Sequence, residues 1–308
     1  MKLIITAVFC LPVLAFAQAD KSLQSSGPED LSSTNGPPML GIHWAKGLEP
    51  SFRSREANPR GGGKSPLMTY HSGPIMTKAH TQAIFWGTSW ANYSGDKITG
   101  IDSWYYGFGN SSYAKTKTEY SGYNGPVGSF TNHLGHVVDT SASAGGGSTS
   151  TILAEVCKAV PNPEPDGNGY YAVYTDTPRG HANYCAYHSY GTCGGTPIQF
   201  AYFFKLDGDP GCDPQDTSKL HSQGLAAIAN VSGHELSEAL TDPASPGAWY
   251  DSSGQENGDK CAWTFNVPLV TFSNGTQWKI QGEWSNKAYN EGTGYPNSSG
   301  QKGCLDGH

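Results

Sequence analysis

Charge is scarce in this 308-residue sequence, at 15% of positions, and positive charge is the scarcer sign. Nineteen Lys and Arg face 26 Asp and Glu, for a formal net charge of −7, and no basic stripe or run occurs anywhere. Proteins that bind nucleic acid concentrate Lys and Arg on one surface, so the composition argues against that class of partner. Long apolar runs are missing too. Leu3 to Phe16 is mostly apolar but too short for a permanent bilayer helix, and nothing like it recurs, so no membrane span is expected. There are no paired Cys-x-x-Cys spacings, which removes a thiolate zinc site. There is no Gly-x-Ser-x-Gly elbow, which argues against an α/β-hydrolase. Gly145-Gly-Gly147 lacks the Lys of a phosphate loop and reads as a linker.

What is present points outside the cell. Lys2, the apolar stretch after it and the small-x-small pairs Ala15-Phe-Ala17 and Ala17-Gln-Ala19 have the pattern of a cleavable signal peptide over residues 1–19. With Cys10 removed, six cysteines remain, at 157, 185, 193, 212, 261 and 304. An even count in an oxidising compartment suggests up to three disulfides, and Cys185–Cys193 and Cys261–Cys304 are the expected pairs. Residues 20–65 are rich in Ser, Gly and Pro with little periodic apolar pattern, and read as a flexible leader or pro-segment. A single globular domain is expected over 66–308.

Within that domain Ala83–Trp86, Tyr170–Tyr174, Phe200–Leu206 and Gln277–Ile280 read as strands. Asp96–Tyr106 and Thr151–Val160 read as helices, the second stopped by Pro161. The longest helical pattern runs from Ser218 to about Leu240 and is stopped by Pro243. Helices and strands interleave without a βαβ rhythm. The expected fold is therefore α+β, a single domain with a mixed β-sheet flanked by helices.

The chemistry concentrates on that longest helix, in Val231-Ser-Gly-His-Glu-Leu-Ser-Glu-Ala-Leu-Thr-Asp-Pro243. His234 and Glu238 stand one turn apart and project from one face, so an imidazole and a carboxylate can reach the same ion. Glu235, next round the helix, is placed to accept a proton from water. The logic is that of the His-Glu-x-x-His zinc-peptidase helix, with Glu238 in place of the second His. A catalytic zinc site needs a third ligand. The candidates are Glu256 and Asp259, in the glycine-punctuated loop Gly254-Gln-Glu-Asn-Gly-Asp-Lys-Cys261, with Asp242 and Asp251 weaker. Asp242 reads rather as the residue that ends the helix. His188 is a further candidate, as a ligand or transition-state donor, against the plainer reading of a histidine in a disulfide-bounded loop with His181. His133 and His136 read as part of a polar loop, although they could share a metal. Trp104, Tyr105 and Tyr106 could stack on sugars but more often such residues fill a core.

Several of these segments are similar to the phosphate-induced protein 1 family, also called EXORDIUM-like. They are Tyr70-His-Ser-Gly-Pro74, Ala83-Ile-Phe-Trp-Gly87, Gly233-His-Glu-Leu-Ser-Glu-Ala-Leu-Thr-Asp-Pro243, Ala248-Trp-Tyr250 and Glu256-Asn-Gly-Asp-Lys-Cys261. The likeness spans about residues 66–304. It implies export, an association with growth and the cell wall as in plant members, and an acidic loop that works with the helix as one unit. The expectation is a secreted metal-dependent hydrolase, a zinc peptidase by preference, with Ca2+ as the alternative ion for an oxygen-rich site. Its substrate would be an extracellular protein or peptide, or a cell-wall polymer. The rival expectation is a non-enzymatic extracellular binding protein with a structural ion or none.

Overall fold

A computed structural model of the chain describes residues 36–50 and 65–308. The expected signal peptide, and residues 20–35 and 51–64 of the expected leader, lie outside the described residues. Six strands form the central sheet: β1 (Leu40–Trp44), β2 (Ala79–Trp86), β3 (Thr131–Asp139), β4 (Gly169–Pro178), β5 (Tyr184–Cys193) and β6 (Thr196–Lys205). Their order across the sheet is β1-β5-β6-β4-β2-β3. β2, β3, β4 and β6 run parallel, whereas β5 is antiparallel to both neighbours, so the sheet is mixed. β4 lies in the middle, and Gly169 to Thr175 are all buried, as expected of a strand covered on both faces. β5 turns into β6 through Gly194-Gly195, both at positive φ, which suits a tight hairpin.

Five helices are found among the described residues: α1 (Lys97–Phe108), α2 (Ser112–Lys115), α3 (Thr149–Ala159), α4 (Gln223–Thr241) and α5 (Asn286–Glu291). They cover both faces of the sheet. Tyr187 of β5 donates to the Gly146 carbonyl just before α3, while Tyr174 of β4 is bonded to Ser232 of α4. The chain is thus a single α+β domain, as expected.

α4 positions the site. The Ser222 side chain accepts from the Leu225 amide at its start, which caps the first turn and sets the start five residues later than the apolar pattern alone suggests. Asp242 ends the helix and its carboxylate accepts from the Ala248 amide, so this residue has the turn role read for it. Every residue from Gly224 to Thr241 is buried. A helix enclosed on all sides, carrying a His and two Glu, must satisfy those groups internally or hold something that does.

Several expectations need correction. The folded domain does not begin near Pro66: β1, placed in the leader by sequence, is an edge strand paired with β5, with Met39, Leu40 and Ile42 buried. It is five residues long and broken by Gly41, so it shows no alternation. The polar loop at His133 and His136 is β3, an exposed edge strand, and the loop around His188 is β5. Of the disulfides, Cys261–Cys304 forms as expected, but Cys185 pairs with Cys212 and Cys193 with Cys157. Cys185 and Cys193 lie at opposite ends of one strand, and eight residues of β-strand span roughly 26 Å, far beyond the reach of a disulfide. Trp104 and Tyr105, by contrast, fill the core, as expected. Among the described residues no helix is long and apolar enough to cross a membrane.

Candidate metal centre

Five side chains from three segments converge beneath β1. α4 supplies His234 and Glu238, β5 supplies His188, and the loop before Cys261 supplies Glu256 and Asp259. His234 Nε2 lies 3.1 Å from Glu238 Oε2 and 3.5 Å from Asp259 Oδ1. His188 Nε2 lies 3.5 Å from Glu256 Oε2. All five are buried, none more than 5% exposed. The four residues expected to ligate an ion are therefore gathered in one place, and His188 joins them as a fifth donor. Its position on a strand, with side chains alternating across the sheet, turns it toward α4 while Tyr187 faces α3.

The acidic loop is held firmly. Asp251 stands apart from the cluster and does other work: its carboxylate accepts from the Ser253 and Gln255 amides and pairs with the buried Lys260 at 2.7 Å. The Asp259 amide donates to Glu238 Oε1 at 2.9 Å, and Asp259 Oδ2 accepts from the Glu256 amide. The Cys261–Cys304 disulfide fixes the end of the loop. Glu238 thus has one oxygen tied to the loop and turns the other toward the histidines.

Supporting residues had no signature in the sequence. Gln281 places its side-chain amide 3.1 Å from His234 Nδ1 and donates to the Gly258 carbonyl, orienting the ring so that Nε2 faces the carboxylates. Asn230, one turn before His234, accepts from the Gln281 amide. It is fully buried, so its Asn-x-Ser sequence is not an accessible glycosylation site. His43 of β1 packs against His234, ring centres 4.2 Å apart, and is hydrogen-bonded to Gln281. Gly41, at φ +40, is the tightest approach: a Cβ there would lie 2.2 Å from Glu238 Oε2 and 2.4 Å from His188 Nε2. Only a residue without a side chain can occupy that position.

The electrostatics are those of a crowded negative site. Burial lowers the His188 pKa to about 3, helped by His234. Burial would lower His234 as well, but Glu238 and Asp259 outweigh it and raise its pKa well above the usual value. Burial, then Asp259, pushes Glu238 up to about 8. Burial also holds Glu235 well above the normal carboxyl range. Among the described residues both Glu235 oxygens, His188 Nδ1 and Nε2, His234 Nε2, Glu238 Oε2 and the Tyr170 hydroxyl are buried with no well-formed hydrogen bond. A weak hydrogen bond from the His43 backbone offsets only part of the rise at Glu235. So many unsatisfied groups in one spot are costly, and a cation would satisfy most of them at once. Two imidazoles with three carboxylates suit zinc or another transition ion, whereas calcium takes oxygen donors.

Other candidates fall elsewhere. His133 Nε2 and His136 Nδ1 share the two oxygens of Asp102, at 3.0 and 2.6 Å, a carboxylate-bridged pair. His181 is exposed and is not part of the cluster.

Glu283 is a separate buried acid near the cluster. Tyr113 donates to it at 2.6 Å, and fully buried Lys117 lies over the Phe108 and Tyr113 rings. Burial pushes Glu283 up to about 7 against the pull of Lys117. A folded-state value above the ordinary Glu value of 4.5 means that the stabilisation is complete below pH 4.5 and is lost as pH rises through 7. In the metal-free protein the unfolding free energy is expected to fall by about 3 kcal/mol across that window. Urea titrations at stepped pH check this. Glu283→Gln should flatten that part of the slope, and an unchanged slope in the variant would assign it to other groups.

No protein-family model, no curated protein and no solved structure matches the chain.

Proposed function

We propose that this chain is an exported metal-dependent hydrolase that cleaves extracellular peptides or proteins. The observation that carries this reading is Glu235. It is a fully buried carboxyl with no well-formed hydrogen bond, next to His234 in the chain and within electrostatic reach of His234, Glu238 and Asp259. A purely structural ion has no use for such a group, whereas hydrolysis needs a base there. His188, His234, Glu238, Glu256 and Asp259 would hold the ion, taken to be zinc. Bound there, zinc supplies Lewis acidity that polarises a carbonyl and makes water easier to deprotonate. Glu235 takes the proton from the attacking water and delivers it to the leaving amine. A nearby cation also works against the burial that raises its pKa, and so favours the ionised base. Three disulfides fit an extracellular setting, and the apolar start of the chain and the EXORDIUM-like motifs support secretion.

One observation favours a second reading. The donors are almost completely buried, and an enclosed ion is the mark of a structural site. On that reading the chain is an extracellular binding protein, at a cell wall or polysaccharide, with the metal as a staple. A pooled fluorogenic peptide library, offered to zinc-loaded protein, separates the two. Cleavage that stops with a chelator and returns with zinc supports the hydrolase. A metal-loaded protein that cleaves nothing supports the staple. Both readings share one expectation: removing the metal lowers the melting temperature, by an amount that grows with the free zinc supplied to the loaded sample. Differential scanning calorimetry with and without chelator measures it.

A further inference from the structure

We infer that the centre holds two divalent ions bridged by Glu238, not one. The inference rests on the reading of the cluster as a metal site. The donors do not form one group of five. They fall into two triads, His188–Glu238–Glu256 and His234–Glu238–Asp259, with the donor atoms of each triad within 4.8 Å of one another. Glu238 is the one residue common to both. A single tetrahedral ion uses four ligands with donor atoms about 3.4 Å apart, so five protein donors are more than it needs. Two ions, each with one imidazole, one carboxylate of its own and the shared carboxylate, use every donor and leave each ion an open position. Paired ions about 3.5–4 Å apart are a recurring hydrolytic arrangement, because they act on attacking and leaving groups together.

The buried atoms without a well-formed hydrogen bond follow the same division: His188 Nε2 in one triad, His234 Nε2 in the other, and Glu238 Oε2 between them. Gly41 leaves room against the facing atoms, His188 Nε2 and Glu238 Oε2.

The test is metal stoichiometry on the full-length exported chain. Protein equilibrated with zinc and then freed of excess is expected to hold two ions per chain by elemental analysis. One ion per chain overturns the inference while leaving the hydrolase reading open. No ion removes both. Two ions with no cleavage of any peptide sustains the inference and removes the hydrolase reading. His188→Ala and Glu256→Gln should each retain one ion, with circular dichroism confirming the fold. Because a variant can misfold, manganese-loaded wild-type protein supplies a second readout. A bridged pair gives the spectrum of two coupled spins in electron paramagnetic resonance, and a spectrum of isolated ions contradicts the bridge.

Discussion

Glu235→Gln is expected to reduce peptide hydrolysis by about 10²- to 10⁴-fold, the usual contribution of a general base, with the zinc stoichiometry unchanged. The two side chains have nearly the same shape, so the helix, the ligand positions and the packing under β1 are kept. What is lost is the ability to take up a proton. A second consequence follows from the burial of Glu235 without a well-formed hydrogen bond. Removing a carboxyl in that state relieves a desolvation cost, so the metal-free variant should be at least as stable as wild type in urea. A residue kept only for structure would behave in the opposite way, losing stability with no specific loss of turnover. Steady-state kinetics with a cleaved library peptide, together with metal analysis of the same sample, checks this. Full activity in the variant would remove Glu235 from the mechanism.

Gly41→Ala is expected to abolish metal binding. The added methyl would stand 2.2 Å from Glu238 Oε2 and 2.4 Å from His188 Nε2, inside any tolerable contact distance. Either the two donors are forced apart or β1 is pushed from the sheet, and in both cases the seat between them is lost. The backbone adds a smaller effect, because φ is +40 at this position and an L-residue there costs about 1–2 kcal/mol. Gly47→Ala separates the two contributions. Gly47 also has positive φ, at +76, but nothing lies within 4 Å of where its Cβ would be. That variant should lose some stability and bind zinc normally, while Gly41→Ala loses zinc as well. Isothermal titration of both proteins decides the matter. Equal affinities would mean that the space beside Gly41 holds no ion.

The sequence carries the helical half of this site openly and conceals most of the rest. His234, Glu235 and Glu238 are legible because a helix repeats every 3.6 residues, so their spacing fixes a common face. Glu256 and Asp259 are legible because acidic residues in a glycine-punctuated loop beside a cysteine suggest a shaped, anchored turn. His188 can be noticed but not placed, since the strand around it mixes buried Tyr, Ser and Cys and shows no clean alternation. Gly41, His43 and Gln281 carry no local signal: each acts through a contact with a residue far away in the chain. The disulfide pairings fail for the same reason, because Cys157 meets Cys193 only through the packing of α3 on β5. Among strands, β4 declares itself by its continuous apolar run, whereas β1 is too short and β3 too polar at its exposed edge.

Anomalous diffraction at the zinc absorption edge, from crystals of the full chain equilibrated with zinc, addresses the metal reading at its root. Strong peaks are expected beneath β1, about 2.0–2.2 Å from the nitrogens of His188 and His234 and the oxygens of Glu238, Glu256 and Asp259. A map without density there, with these side chains bonded to one another or to water, would show that the cluster is a buried polar network and that the protein acts without a metal at this site.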